Sequence, residues 1–431
     1  MKKIIDFVVK YPIAISLFVW ILFYLLPFKP KPFGDGEYHA GTIDLLNFIN
    51  NGFQGNIRID KGLITLFYYF IPYSLAYFFQ NEQVYFVFGI IFNGIILLYS
   101  IKLLFKTFNL LHFAKKSQFY TLLIINVFPI HFYYSMGILA ESASFFAVSL
   151  FIYSYINIIN FDKKIKYFVF LAISLVILGG TRPNLLPFII LFLMFFTFQK
   201  IAINKKLIFC SILIISFSIL YVIENKISKP TENFKSIVFR NQILWSRFEL
   251  RNEPFNWLPQ HGQDKFASQD YNDNLNKRKE LNFICLKNNL EPTNYYINWV
   301  ANDIVQNPLL TLRQYFLKFF QSQSFIISPL MKSNKSNFIK YGIHLGINSI
   351  NYILIFASIW GLINMYKLKK FNLFIPFFLL WSWSLLYVFI FHSEQRYMFP
   401  IRPVLIFLFA YSINLYDKSE NQSSKIEINN I

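Results

Sequence analysis

Two carboxylates and a histidine, Asp35, Glu37 and His39, sit in the run KPKPFGDGEYHA (29–40), directly after an apolar stretch. Gly34 and Gly36 permit a tight backbone path there, so both acids can turn toward one centre. A carboxylate at the lipid boundary is partly desolvated, which raises its proton affinity and suits it to act as a general base. The plainer alternative is a solvated loop whose acids balance Lys29, Lys31 and Lys61. Glu141 stands in SMGILAESASFF, where a helix is expected to begin; a carboxylate is also welcome at a helix N-terminus with no further role. Arg182 lies in LGGTRPNLLPF, in a very short turn between two apolar runs. Arginine at that depth needs a counter-ion or an anionic ligand, and a phosphate matches its planar fork; the alternative is a side chain reaching out to lipid headgroups. The densest polar cluster is FHSEQRYMFPIRP (391–403), with His392, Glu394, Arg396, Tyr397 and Arg402. Arginine and histidine there can neutralise a phosphate leaving group, and Glu394 can orient Arg396; interfacial charge ending a membrane helix is the simpler account.

The elements that must position these residues are membrane helices. The 431-residue chain is 55% hydrophobic and 15% charged, against about 25% charged in a soluble domain. Apolar runs at 11–27, 118–135, 142–160, 166–180, 184–199, 206–223, 341–365, 372–391 and 398–416 predict spanning helices, and 63–105 is apolar but broken at QNEQ (80–83). The fold class expected is an all-α polytopic membrane protein with about 10–11 transmembrane helices and an outer-face loop domain. Its organisation reads as an N-terminal transmembrane module (1–223) with a first outer loop (28–62), an extracytoplasmic segment (224–340), C-terminal helices (341–416) and a disordered cytoplasmic tail (417–431). After His39, Leu45, Leu46 and Ile49 share helical spacing, as in an amphipathic helix on the membrane. In 224–340, NPLLTLRQYFLKFFQ reads as a helix with Asn307 as N-cap, Pro308 at its first position and an apolar face that packs on the membrane or against other helices. The first segment lacks a small-residue cleavage site and reads as a retained helix.

The net charge of +19 would suggest nucleic acid for a soluble protein. Here the lysines cluster in short loops between apolar runs, so positive-inside topology and anionic headgroups account for them, and no nucleic-acid partner is expected. Placing MKK, HFAKKSQ, NFDKKIK, QKIAINKK and KLKK together in the cytoplasm requires 63–105 to cross an odd number of times. The loops then left outside carry GDGEYH, GILAES, GGTRPN and HSEQRY, so the unusual polar motifs collect on one membrane face. Cys210 and Cys285 lie in dissimilar surroundings, which argues against a disulfide between them. No zinc pattern, P-loop, GxSxG or dinucleotide fingerprint occurs.

In order and spacing, the acidic first loop, the LAES acid, the TRPN turn and H-x-E-x-R-Y-x-x-P-x-x-P near the last helix resemble the GT-C superfamily of membrane glycosyltransferases. The likeness is to its protein mannosyltransferase-like and lipid A arabinose transferase-like branch, over 1–223 and 341–416. It implies an inverting transfer from a polyprenyl-phosphate-linked sugar to an acceptor on a lipid, glycan or protein, at the extracytoplasmic side of a cell (inner) membrane. On that resemblance Asp35 is the base, with Glu37 and Glu141 supporting, Arg182 near a phosphate, and His392 and Arg396 on the leaving phosphate. Relatives often carry adjacent Asp-Glu where Gly36 intervenes here, which leaves the choice between Asp35 and Glu37 open. The two acids are the only ligand cluster in view, so a divalent cation also stays open. Competing readings are a surface-polysaccharide polymerase or ligase, which needs no acidic first loop, and a lipid-linked glycan flippase or transporter, which calls for internal repeats and midplane charge.

Overall fold

The structure is a computed structural model describing residues 2–25, 36–52, 63–79, 82–128, 130–137, 139–161, 164–227, 232–252, 269–324, 336–391 and 395–428. The described residues are helices and turns, with no strand among them, and form an all-α polytopic membrane protein. They divide into two compact units: Met1–Lys229, Ser333–Trp381 and Pro400–Ile431 in the first, Pro230–Lys332 and Ser382–Phe399 in the second. The polar segment expected over 224–340 therefore starts and ends slightly inside those bounds and also takes in the 382–399 stretch.

The first unit contains α1 (Lys2–Lys10), α2 (Pro12–Leu25), α3 (Gly36–Asn50), α4 (Leu63–Phe78), α5 (Glu82–Leu110), α6 (Lys115–Val127) and α7 (Ile130–Ser135). It continues with α8 (Glu141–Ile156), α9 (Ile165–Thr181), α10 (Leu186–Thr197) and α11 (Ile203–Ile227), and later α16 (Asn337–Lys367) and α18 (Arg402–Ile428). Its centre is α8, which packs against α5, α9 and α18. Every residue of α8 except Phe146 and Tyr153 is buried, as expected of a helix apolar all round. At the other extreme α11 leaves Ile214, Ile215, Ile219 and Tyr221 exposed, a surface suited to lipid.

Close approach explains α16 and α18. A Cβ on Gly361 would lie 2.5 Å from the Leu408 carbonyl oxygen. Beside it Ser358 donates to Leu405 O (2.7 Å) and Ser412 to Ala357 O (2.6 Å). Small residues thus let two backbones meet without a large side chain between them.

The basic ends gather at one end of this unit. Lys115 pairs with Asp6 at 2.7 Å, Lys116 with Asp417 at 3.4 Å, and the Lys370 ammonium stands 5.3 Å from the Tyr411 ring. The loops at 112 and 369 close with left-handed His112 and Lys369, and Phe113 N and Lys370 N reach back to Phe108 O and Met365 O.

Several expectations change. Six described helices are long and apolar enough to span, a seventh if α1 and α2, bent by 80°, count as one; Leu63–Leu75, Ile165–Thr181 and Pro183–Thr197 are shorter. The expected total of about 10–11 is approached only with those shorter helices. The run 63–105, by contrast, divides near the expected break into two helices, of which α5 alone reaches spanning length, in keeping with an odd number of crossings. The run 118–135 breaks between α6 and α7, where the sequence has Pro129. The tail after Asp417, expected to be disordered, continues α18 to Ile428, because neither glycine nor proline interrupts it after Pro403.

The second unit is built from α12 (Glu232–Phe248), α13 (Gln269–Lys287), α14 (Pro292–Gln306) and α15 (Pro308–Gln323). It also includes the end of α17 (Phe371–Ile390) and the 3-10 turn that begins at Gln395. Ile243, Leu244, Phe248, Leu281, Tyr296 and Val300 form its core.

Candidate functional site

Glu141 and Arg182, 41 residues apart, meet. Arg182 Nη2 donates to Glu141 Oε1 in a buried ion pair. The helices deliver them: Glu141 opens α8 and Arg182 caps the C-terminus of α9, with its backbone N–H on Leu178 O at 2.8 Å. Antiparallel packing of α8 on α9 brings an N-terminus beside a C-terminus. The acid sits where a helix dipole favours negative charge and the arginine where it favours positive. At this burial the pair holds geometry more than it adds stability, since desolvation offsets much of the attraction.

The turn entering α8 is pinned by α4 and α5. Tyr69 Oη donates to Leu139 O and accepts from Leu139 N–H at 2.7 Å. Asn93 Nδ2 donates to Gly137 O at 2.7 Å, and Tyr68 Oη donates to Asn93 Oδ1 at 2.8 Å. These contacts satisfy backbone groups that a non-helical turn would otherwise leave stranded among apolar helices. Gly180 lets α4 approach the Arg182 turn, because a Cβ there would run into the Ile64 side chain.

The helix that follows the first acidic loop joins this framework. Glu37 and His39 fall in the first turns of α3, which packs on α4. Leu45 packs with Leu63 and Leu66, flanked by Phe48, Ile49, Leu220 and Ile223, so the apolar spacing read as membrane-facing serves an internal helix contact. Thr42 is buried, as are Tyr69 and Tyr85. Asp35, His392 and Glu394 lie outside the described residues, and of Glu37, His39 and Arg396 only the backbone is described. Arg396 lies in the 3-10 turn Gln395–Ile401, and Tyr397 packs on Tyr387 of the second unit, ring centres 5.3 Å apart. Among the described residues no three His, Cys, Asp or Glu side chains group as metal ligands.

Arg402 opens α18 and is the largest fully buried side chain among the described residues; it donates to Asn351 Oδ1, and its guanidinium lies 5.3 Å from the Phe128 ring. His131 on α7 is also fully buried. The sequence signal for Arg402 is IRPVL at a helix start, whereas His131 lies within an apolar run that gives it no mark of its own.

Sequence reading also missed a polar network inside the second unit. Arg247 donates to Asp303 Oδ2 and Gln314 Oε1, and Gln314 Nε2 donates to Arg247 O and Glu249 O, both at 3.0 Å. Lys318 Nζ donates to Ser246 O at 2.6 Å and to Phe389 O at 3.2 Å, so one ammonium caps the carbonyl ends of α12 and α17. Burial pushes the Lys318 amine down to about 8, partly opposed by Glu249 and reinforced by Arg247. Glu291 accepts from Thr293 N (2.9 Å) and Asn294 N (2.6 Å) at the start of α14, which holds its carboxyl below the usual range. Asn307 stands at the N-cap position of α15, as expected, and accepts from Thr311 N at 3.0 Å through its backbone carbonyl; its side chain makes no cap bond to α15 but donates back to Asp303 O (3.2 Å) and Oδ1 (3.0 Å) at the end of α14.

The model of the Alg9-like mannosyltransferase family matches residues 341–430, well under half of the chain. No curated protein and no solved structure matches. The family match covers α16, α17, the 395–401 turn and α18, the same C-terminal stretch that carries the RY-x-x-P-x-x-P residues. It supports a membrane glycosyltransferase of the GT-C class.

Proposed function

We propose that the protein transfers a sugar, with inversion, from a polyprenyl-phosphate-linked donor to an acceptor hydroxyl on the extracytoplasmic face of a cell membrane. In the reaction a first-loop carboxylate, Asp35 or Glu37, takes the proton of the acceptor hydroxyl. That oxygen forms a bond to the sugar's anomeric carbon as the bond from that carbon to the phosphate oxygen breaks. The phosphate leaves with the electron pair, and cationic side chains hold its charge. Arg182 is the cation proposed for it in the first unit, with Glu141 fixing the guanidinium plane, and His392 and Arg396 are the others the resemblance implies.

The observation that carries this reading is the Glu141–Arg182 pair, set at helix ends and framed by α4, α5 and α9, in a module that also receives α3 directly after the acidic loop. The pre-set arginine supports a phosphate-bearing substrate, and the C-terminal family match supports a sugar. The test is turnover by purified protein in nanodiscs, offered radiolabelled sugars on polyprenyl phosphate and, separately, on nucleoside diphosphates. Release of polyprenyl phosphate from the first set is expected. Use of the nucleotide sugars alone would overturn the donor class.

A further inference from the structure

The helix α15 is amphipathic the wrong way round. Its buried side chains are Thr311, Gln314, Lys318, Ser322 and Gln323. On the opposite side Leu309, Leu312 and Phe316 are 81%, 68% and 63% exposed. Spacing of three and four residues puts those three on one stripe, half a turn from Gln314 and Lys318. The polar stripe is occupied by the Arg247–Gln314 contact and by Lys318 on the two helix ends. The helix therefore cannot turn over to hide its apolar stripe without stranding a buried lysine and glutamine.

What lies outside that stripe follows from what α15 packs on. Phe371–Ile390 is long and apolar enough to cross a bilayer, and Phe389 stands at its end. Within the second unit Tyr315 stacks on Phe389 with ring centres 5.2 Å apart, and both Lys318 Nζ and Ser246 Oγ donate to Phe389 O. A spanning helix ends where hydrocarbon gives way to headgroups, so Tyr315 and Lys318, one turn apart, hold α15 at that depth. Tyr315, Phe316, Phe319 and Phe320 on one short helix are the side chains that settle at such a boundary, and Arg313 supplies a cation beside them.

We propose that the Leu309–Leu312–Phe316 face of α15 rests in the lipid interface of the bilayer beside the Phe389 end of α17. There it serves as a membrane contact for the polar unit. The proposal needs α17 to cross the membrane and is independent of the sugar chemistry.

The test uses the full chain in nanodiscs with Cys210→Ala, leaving Cys285, which is buried. A bimane probe is placed at Leu312→Cys and, separately, at Phe316→Cys, both exposed positions whose replacement leaves the polar network intact. Glu280→Cys on α13, half exposed, is the comparison site. Lipids carrying a nitroxide near the headgroup are expected to quench both α15 probes at least twofold more than the Glu280 probe, and aqueous iodide the reverse. Iodide quenching of the α15 probes equal to that at Glu280 would place the face in water and overturn the proposal. Shielding from both quenchers would mean that protein, a second copy or a partner, covers the face, and would overturn it equally.

Discussion

A buried arginine with a carboxylate partner behaves differently from two separate charges. Removing Glu141 alone leaves Arg182 charged among apolar helices, and such losses run to about 3–5 kcal/mol. Glu141→Leu is expected to lower the thermal midpoint in detergent more than the double change Glu141→Leu with Arg182→Met. Equal or larger loss in the double variant would mean that the two side chains act apart. Lys318 gives a pH prediction. Its folded value lies near 8 against 10.5 in the open chain, so between those values the unfolded state binds the proton and the folded state does not. Stability from this group therefore rises with pH across that window, by at most ~3 kcal/mol. The midpoint of the wild type relative to Lys318→Met is expected to climb from pH 8 to pH 10.5, and a flat difference would count against the buried ammonium. Glu141 and Arg182 were each conspicuous in the sequence as charges beside lipid-like runs. Their pairing was not, because 41 residues separate them and it takes the packing of α8 on α9 to join them. Lys318 was invisible for the opposite reason: in a stretch with a clear apolar stripe, lysine is read as the outward face, and here the stripe faces out.

Among elements, α16 offers a comparison within one helix. Gly361→Ala would drive a methyl group against the Leu408 carbonyl, a backbone atom that cannot swing aside, and should cost about 1–3 kcal/mol. Gly342→Ala and Gly346→Ala on the same helix meet open space and should be neutral or gain up to ~1 kcal/mol from helix propensity. Thermal midpoints of the three variants check this; a neutral Gly361→Ala would remove the close α16–α18 contact from the account. At this scale the sequence was informative about helix existence, since runs of 16 or more apolar residues near 206–223, 341–365 and 372–391 recur as α11, α16 and α17. It was less so where a helix is interrupted inside a run read by hydropathy alone. The α6–α7 break falls at Pro129, a breaker that mean hydropathy passes over, and the π turn Asn157–Phe161 leads into the NFDKKIK loop, with a change of hydrogen-bond pattern that composition does not register. The α3 helix was legible as amphipathic, but its apolar side meets α4 and α11 because those helices cover it, which composition cannot foretell.

For the whole molecule, low charge and recurrent apolar runs identified the solvent, and clustered lysines identified loops that meet at one end of the first unit. The unit boundaries were harder to read, because Ser382–Phe399 belongs with the polar unit although its first half is as apolar as any spanning run. In the proposed transfer a first-loop carboxylate does the proton chemistry while Arg182 holds phosphate. The most direct measurement compares wild type, Asp35→Asn and Glu37→Gln in nanodiscs, recording both polyprenyl-phosphate release and equilibrium binding of the same labelled donor. The account predicts that one of the two substitutions lowers release by 100-fold or more while donor binding changes less than about threefold, as expected when a base is removed and the phosphate contacts stay. Release that survives both substitutions would contradict it and would favour a polymerase or ligase whose arginines and histidines work without an acidic first loop.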